Sequence, residues 1–209
     1  MASKAKPDES SEGNSDDTVE HFNVRAIALR MQSQMVGNVP SGILRLFLDE
    51  ASVRLFTNIC KLLRLYTGSN KTAVAYTKRI VKMNIRLTAF STADVLNDEE
   101  DDMACDFHDR CHLAAEILLR LGRPKRRLLP GVTPTIDKLV DAIQSAKSLA
   151  LKITERHLKQ TTRDKFREAV DFFLNPQFFT TVFSEQECYK GLLEDIYDSI
   201  EDLIDRGLF

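Results

Sequence analysis

Between Ile43 and Phe90, apolar side chains recur at helical spacing but cover more than one face, which is more than an ordinary surface helix requires. The segment from Ser41 to Thr67 sets Ile43, Phe47, Leu55, Ile59, Leu62 and Tyr66 on one stripe, with Leu44, Leu48, Cys60 and Leu63 beside it. The next, from Asn70 to about Thr92, carries two strips: Tyr76, Ile80, Met83, Leu87 and Phe90 form one, and Val74, Val81 and Ile85 the other. Thr77 and Asn84 fall between them. Only the remaining arc is charged, with Lys71, Lys78, Lys82 and Arg86, and Arg79 at its margin. A helix patterned this way faces apolar material on several sides. It is either the centre of a close-packed bundle or the wall of a cavity that holds something apolar. In the second case Phe47, Leu55, Ile59, Leu62, Ile80, Met83 and Leu87 form the wall.

The other elements follow from the same periodicities. Residues 1 to 18 contain almost no apolar side chain and read as a disordered tail. Val19 to Met35 reads as a short, weakly anchored helix, with Phe22, Ile27, Leu29 and Met31 interspersed with Arg25 and Arg30. Gly37, Asn38 and Pro40 end it. Ser69 or Asn70 caps the second apolar helix. After a linker around Asp94 to Asn97, a helix runs from Asp98 to about Leu121, where Glu99, Glu100, Asp101 and Asp102 suit the positive end of its dipole. Gly122 to Thr133 reads as a loop. Thr133 and Pro134 serve as N-cap and N1 of a helix reaching Lys159, with Ile136, Leu139, Val140, Ile143, Ala146, Ala150 and Ile153 as its core face. A shorter helix covers about Arg163 to Leu174. Ser184-Glu185-Gln186-Glu187 reads as a capping box opening a last helix to about Asp205. That helix sets Leu193, Ile196, Tyr197, Ile200, Leu203 and Ile204 against Glu194, Asp195, Asp198, Glu201, Asp202 and Asp205. The expected fold is therefore all-α, a single helical domain over residues 19–209.

The net charge of −2 argues against nucleic acid as a partner, but it conceals segregation. Residues 71–86 carry five bases and no acid, whereas residues 194–205 carry six acids and no base. No apolar run is long enough to span a membrane, because Asp49, Glu50, Arg54, Lys61 and Arg64 punctuate the longest candidate. The expected location is the cytosol, with membrane contact at most peripheral, and Cys60, Cys105, Cys111 and Cys188 as free thiols. Cys105, His108, Cys111 and His112 resemble metal ligands but lack the paired-cysteine knuckle of a structural zinc site, so no metal is expected. His157, near a helix end, reads as a capping or packing residue. With no nucleophile elbow, phosphate loop or dinucleotide fingerprint, the chain reads as non-enzymatic.

Phe47-Leu48-Asp49-Glu50-Ala51-Ser52, continuing to Leu65-Tyr66-Thr67, together with the Lys78, Lys82, Arg86 ladder, the Arg156-His157-Leu158 run and the Val170-Asp171-Phe172-Phe173 segment, resembles the tumour necrosis factor alpha-induced protein 8 family, also called the TIPE family. The resemblance covers residues 22 to 209 in helix order. It implies about six or seven antiparallel helices around a large apolar cavity, and the binding and transfer of phosphoinositides in regulating cell death or immune signalling. No cofactor is implied beyond a bound phospholipid. The partners implied are acidic phospholipids or a membrane surface. Lys78, Lys82, Arg86, His108 and Arg110 are the candidate headgroup contacts, and Phe22, Arg25 and Arg30 the candidate membrane contacts. The chain departs from the family at Gln32, Ser33 and Gly37 on the first helix, and at Thr92 and His108, where the family carries basic residues. Arg123-Pro124-Lys125-Arg126-Arg127 is a second cationic cluster that could take a phosphate or an acidic partner. The rival reading is a helical adaptor that recruits a signalling protein through the acidic last helix or this basic loop.

Overall fold

The computed structural model describes residues 22–34, 47–123, 135–184 and 186–208, which hold eight helices and no strand. In chain order they are α1 (Val24–Gln34), α2 (Glu50–Thr67), α3 (Asn70–Thr92), α4 (Asp98–Gly122), α5 (Ile136–Ile153), α6 (Gln160–Phe173), α7 (Pro176–Val182) and α8 (Glu187–Asp205). The all-α expectation holds. The predicted tail, the stripe positions Ile43 and Leu44, and the loop residues 124–134 lie outside the described residues.

The helix limits that differ from the sequence pattern are set by polar side chains. Apolar spacing continues through Phe47 and Leu48, yet α2 starts afresh at Glu50, because Asp49 turns extended (φ −60°, ψ 140°) and its carboxylate accepts from the Ala51 amide at 2.9 Å. Gly68, in the left-handed region at φ 66°, closes α2, and its N–H donates to the Arg64 carbonyl at 2.9 Å. Ser69 then caps α3, accepting from Thr72 N at 3.2 Å. α5 begins after Thr135, whose hydroxyl accepts from Lys138 N at 3.2 Å, not after Thr133. It stops at Ile153, well short of Lys159, where the Thr154 hydroxyl donates to the Ala150 carbonyl at 2.7 Å. The expected capping box before α8 does not form. Ser184 Oγ instead donates back to the Thr181 carbonyl at 2.6 Å, and Gln186 precedes α8 without a side-chain cap. A short helix, α7, was not expected from the sequence, although Asn175 followed by Pro176 is an N-cap and N1 pair, with Asn175 Oδ1 accepting from Gln177 N at 3.0 Å.

Two apolar clusters form the core. The larger joins Val24, Ala28 and Met31 of α1, Leu55, Leu62 and Leu63 of α2, Val74, Val81 and Ile85 of α3, Ile117 and Leu119 of α4, Leu139 of α5, and Leu193 to Leu203 of α8. The smaller joins Met83 and Leu87 of α3 with Leu96, Ala150, Ile153, Phe166 and Val170, and Phe90 packs against it. Val74, Val81 and Ile85 of one α3 strip thus enter the larger cluster, and Met83, Leu87 and Phe90 of the other enter the smaller. Phe178 of α7 anchors one end of the larger cluster, its ring lying 5.0 Å from Tyr66, 5.7 Å from Phe172, 5.2 Å from Phe173 and 5.2 Å from Phe179.

Two polar devices fix how the helices meet. At the end of α4, Gly122 lies directly against Tyr197 of α8: a Cβ there would overlap the ring at Cζ, Cε2 and Oη. Arg123 follows, its guanidinium 5.6 Å from the centre of that same ring. At the start of α4, Asn97 and Glu100 form a capping box, with Glu100 N donating to Asn97 Oδ1 at 2.9 Å and Asn97 N donating to Glu100 Oε2 at 3.1 Å. Glu100 does more than complement the helix dipole. Its carboxylate, 5% exposed, also accepts two hydrogen bonds from Arg156, the Nε one at 2.7 Å, and faces His157 Nε2 at 3.3 Å. The His157 ring packs on Phe90, centres 4.9 Å apart. The end of α3, the start of α4 and the α5–α6 turn meet at this carboxylate.

Gly122→Ala forces Tyr197 out of a packed site and should lower unfolding stability by about 1–3 kcal/mol. Gly191→Ala, where an added Cβ meets nothing within 4 Å, should raise it by about 0.5–1 kcal/mol through helix propensity. Urea denaturation of the two variants reads both, and equal effects would remove the close approach as the reason for Gly122. The Glu100 carboxyl is held down from 4.5 to about 2, first by the Arg156 hydrogen bonds. A group whose folded pKa is depressed stabilises above its unfolded pKa, and that contribution is lost as pH falls through the folded value. Glu100→Gln should therefore lower Tm at pH 7, and the gap from wild type should close between pH 4.5 and about 2. A gap constant across that range would show that the carboxylate charge contributes nothing.

Candidate functional site

α3 is an internal helix over most of its length. Every residue from Thr72 to Phe90 is buried or half-buried, and the helix packs against α1, α2 and α6. Four cations belong to that stretch. Lys78, Lys82 and Arg86 sit one turn apart at successive four-residue steps, so they share a slowly turning face, and Arg79 adjoins it. All four are half-buried, so the ladder is not the freely solvated face that a run of lysines commonly makes. Arg79 Nη1 donates to Glu168 Oε2 of α6 at 2.8 Å and lies 5.4 Å from the Tyr76 ring centre; the Tyr76 hydroxyl donates to the same carboxylate at 3.3 Å. Burial, reinforced by Glu168, pushes the Tyr76 hydroxyl up. Lys82 and Arg86 also have interaction partners.

The other predicted headgroup residues stand apart from this ladder. His108 and Arg110 are exposed on α4, which packs chiefly against α5 and α8. His108 Nδ1 faces Asp109 at 3.9 Å, and Arg110 edges a groove of about 260 Å³ with Leu113, Ile117, Lys138 and Asp141. The predicted wall residues divide between the clusters. Phe47, Leu55 and Leu62 are buried in the larger, and Ile59 packs half-buried against it; Met83 and Leu87 are buried in the smaller. Ile80 is half-buried and belongs to neither.

In α1 the candidate membrane contacts part company. Phe22, Val24, Ala28 and Met31 are buried, so the apolar face, Phe22 included, is turned into the core and not towards a membrane. A short amphipathic helix beside an incomplete core buries its apolar stripe there first. The outward face carries Arg25, Arg30 and Leu29, the last 53% exposed. Of the three predicted membrane contacts, Arg25 and Arg30 remain at the surface.

The acidic face of α8 is occupied by the chain's own cations, which sequence reading missed. Arg123 spans three carboxylates, with Nη2 at 2.7 Å from Glu194 and 2.6 Å from Asp198, and Nη1 at 2.6 Å from Glu201. Arg54 reaches Asp202 at 3.1 Å, and Arg206 pairs with Asp49 and lies 3.7 Å from Asp202. Arg123, counted in sequence with the phosphate-seeking loop, thus belongs to the packing of α4 on α8. Its only sequence signal is its position one residue past a helix end, opposite an acid stripe far along the chain.

The histidines and thiols of α4 do not converge. Cys105 and His108 are exposed, while His112 Nε2 lies 3.5 Å from the buried Glu116 carboxylate. All four cysteines are free; burial pushes the Cys60 thiol up to about 11 and Cys111 up to about 12, which keeps both protonated and unreactive. No helix among the described residues is long and apolar enough to cross a membrane.

The sequence profile described as "Tumor necrosis factor alpha-induced protein 8-like" matches residues 22–207. Tumor necrosis factor alpha-induced protein 8-like protein 2 of Otolemur garnettii is 21% identical over 190 residues, 90% of this chain and 99% of its own. The 8-like protein 1 of Danio rerio is 20% identical over 192 residues, with 90% and 99% covered. Tumor necrosis factor alpha-induced protein 8 of Gallus gallus is 21% identical over 189 residues, with 89% and 96% covered. The shared sequence begins at Phe22, the first described residue of the core, and runs through α8, so this chain belongs to the tumor necrosis factor alpha-induced protein 8 family as a divergent member.

Proposed function

We propose that the chain is a non-enzymatic protein that binds and transfers an acidic phospholipid of the phosphoinositide type, acting from the cytosol at membrane surfaces in the control of cell death or immune signalling. The observation that carries this reading is the α3 ladder: Lys78, Lys82 and Arg86 are half-buried on a helix whose two other faces enter the apolar core. Cations held partly out of water beside apolar side chains suit a ligand with an anionic head and an apolar tail. The tail would lie along the half-buried Ile59 and Ile80, and the phosphates at the ladder. Glu194, Asp198, Glu201 and Asp202 of α8 already have Arg123, Arg54 and Arg206 as partners, which weakens the form of the adaptor reading that recruits through the acidic helix.

Cosedimentation with anionic liposomes tests the ladder. Lys78, Lys82 and Arg86 changed together to Gln should weaken binding by about tenfold or more, at about 1 kcal/mol per cation, and the loss should shrink as salt is raised. Lys125, Arg126 and Arg127 changed to Gln remove equal charge from the loop and should cost less. Ile59→Trp should reduce the lipid seen bound to the purified protein by native mass spectrometry while leaving Tm nearly unchanged. A larger loss from the loop variant would relocate the headgroup site. Bare polypeptide in native spectra, with no liposome binding by folded wild type, would end the lipid reading.

A further inference from the structure

A groove of about 330 Å³ runs between α2 and α8, lined by Arg54, Asn58 and Lys61 on one side and Asp195, Asp198 and Ser199 on the other. The spacings i, i+4, i+7 on α2 and i, i+3, i+4 on α8 place each set on one stripe facing the other helix. Its walls have opposite charge and its floor is polar. Asn58 is 6% exposed and Ser199 1% exposed, an unusual pair to find between two helices that pack closely elsewhere through leucine and isoleucine. Ser199 Oγ donates to the Asp195 carbonyl at 2.7 Å, which leaves its lone pairs to accept. Asn58 Oδ1 accepts from Lys61 Nζ at 3.4 Å, while its amide donor has no hydrogen-bond partner among the described residues.

The charges divide into committed and uncommitted pairs. Arg54 is bound to Asp202 at 3.1 Å and Asp198 to Arg123 at 2.6 Å, and these pairs hold the walls in place. Lys61 and Asp195 form no ion pair with a described residue. With Arg54 and Asp198 paired, a lone anion at Lys61 still faces the uncompensated Asp195, and a lone cation at Asp195 still faces Lys61. Only a molecule carrying both charges satisfies both walls. The volume lies at the small end of ligand sites, the size of an amino acid or a lipid headgroup and too small for an acyl chain.

We propose that this groove binds a small zwitterion, its carboxylate or phosphate received by Lys61 and the Asn58 amide and its ammonium by Asp195. The site lies on a different pair of helices from the α3 ladder and does not depend on it. Free serine serves as the probe, with glycolate and ethanolamine as its two halves, each titrated into isotopically labelled full-length protein and followed by amide chemical shifts. Serine should give saturable shifts at Asn58 and Ser199, with affinity at least about tenfold greater than either half. Lys61→Gln should weaken serine binding about tenfold without affecting ethanolamine, and Asp195→Asn should do the same without affecting glycolate. Both residues are exposed, so neither change disturbs the core. Serine binding no tighter than its halves, shifts elsewhere only, or wild-type affinity in both variants would overturn the site. Vesicles of phosphatidylcholine with and without phosphatidylserine identify the source. Asp195→Asn removes an acid, so nonspecific attraction to phosphatidylserine can only increase; a loss of vesicle binding would identify a lipid headgroup. Unchanged or stronger vesicle binding alongside lost serine binding would identify a free metabolite.

Discussion

The architecture depends on one constraint, the partial desolvation of four cations on α3. A helix with no exposed residue from Thr72 to Phe90 cannot leave Lys78, Arg79, Lys82 and Arg86 to bulk water. Burying a charge without a partner is costly, so the surrounding elements must supply one. Glu168 of α6 does so for Arg79 and at the same time takes the Tyr76 hydroxyl, which ties α6 to α3 along the strip leading into the smaller cluster. The opposite strip, Val74, Val81 and Ile85, needs no such arrangement and enters the larger cluster beside α2. The function proposed for the ladder and the placement of the helices around it therefore have the same physical origin.

The two strips of α3 and the division of α8 into apolar and acidic faces were legible in the sequence because both follow from periodicity within one helix. Ser69 as a cap and Asp98 as the start of α4 were legible from local chemistry. What escaped was of two kinds. Where two threonines can cap within a few positions, as with Thr133 and Thr135, or where a candidate cap such as Ser184 can bond back to the preceding turn, the pattern does not say where the helix begins. Contacts between residues distant in the chain leave no periodic trace: Glu100 meets Arg156 across 56 positions, and Arg123 meets Glu194 across 71. Of the candidate site, the Lys78, Lys82, Arg86 ladder was legible as a stripe, but its half-burial was not. The burial of Phe22 was not legible either, because an apolar face looks the same from sequence whether it meets a membrane or a core.

Most of the acid stripe of α8 is neutralised within the fold. The acid stripe of α8 draws in Arg54 from α2, Arg123 from the end of α4 and Arg206 from beyond its own last turn. Pairs this exposed are individually weak. Arg123 differs because one guanidinium serves three carboxylates while lying over Tyr197, whose ring in turn leaves room only for a glycine at position 122. Shape and charge act there on the same few atoms.

The separation of the core into two clusters has a consequence for the order in which the chain opens. Leu96, Ala150, Ile153, Phe166 and Val170 belong only to the smaller cluster, which is bounded by the Glu100, Arg156 and His157 junction. α8 has no residue in it. Local opening free energies follow such cooperative units. Native-state amide exchange should therefore divide the molecule into two protection classes, with the α4 start, the α5 end and α6 released as one subglobal unit while α2 and α8 stay closed against each other.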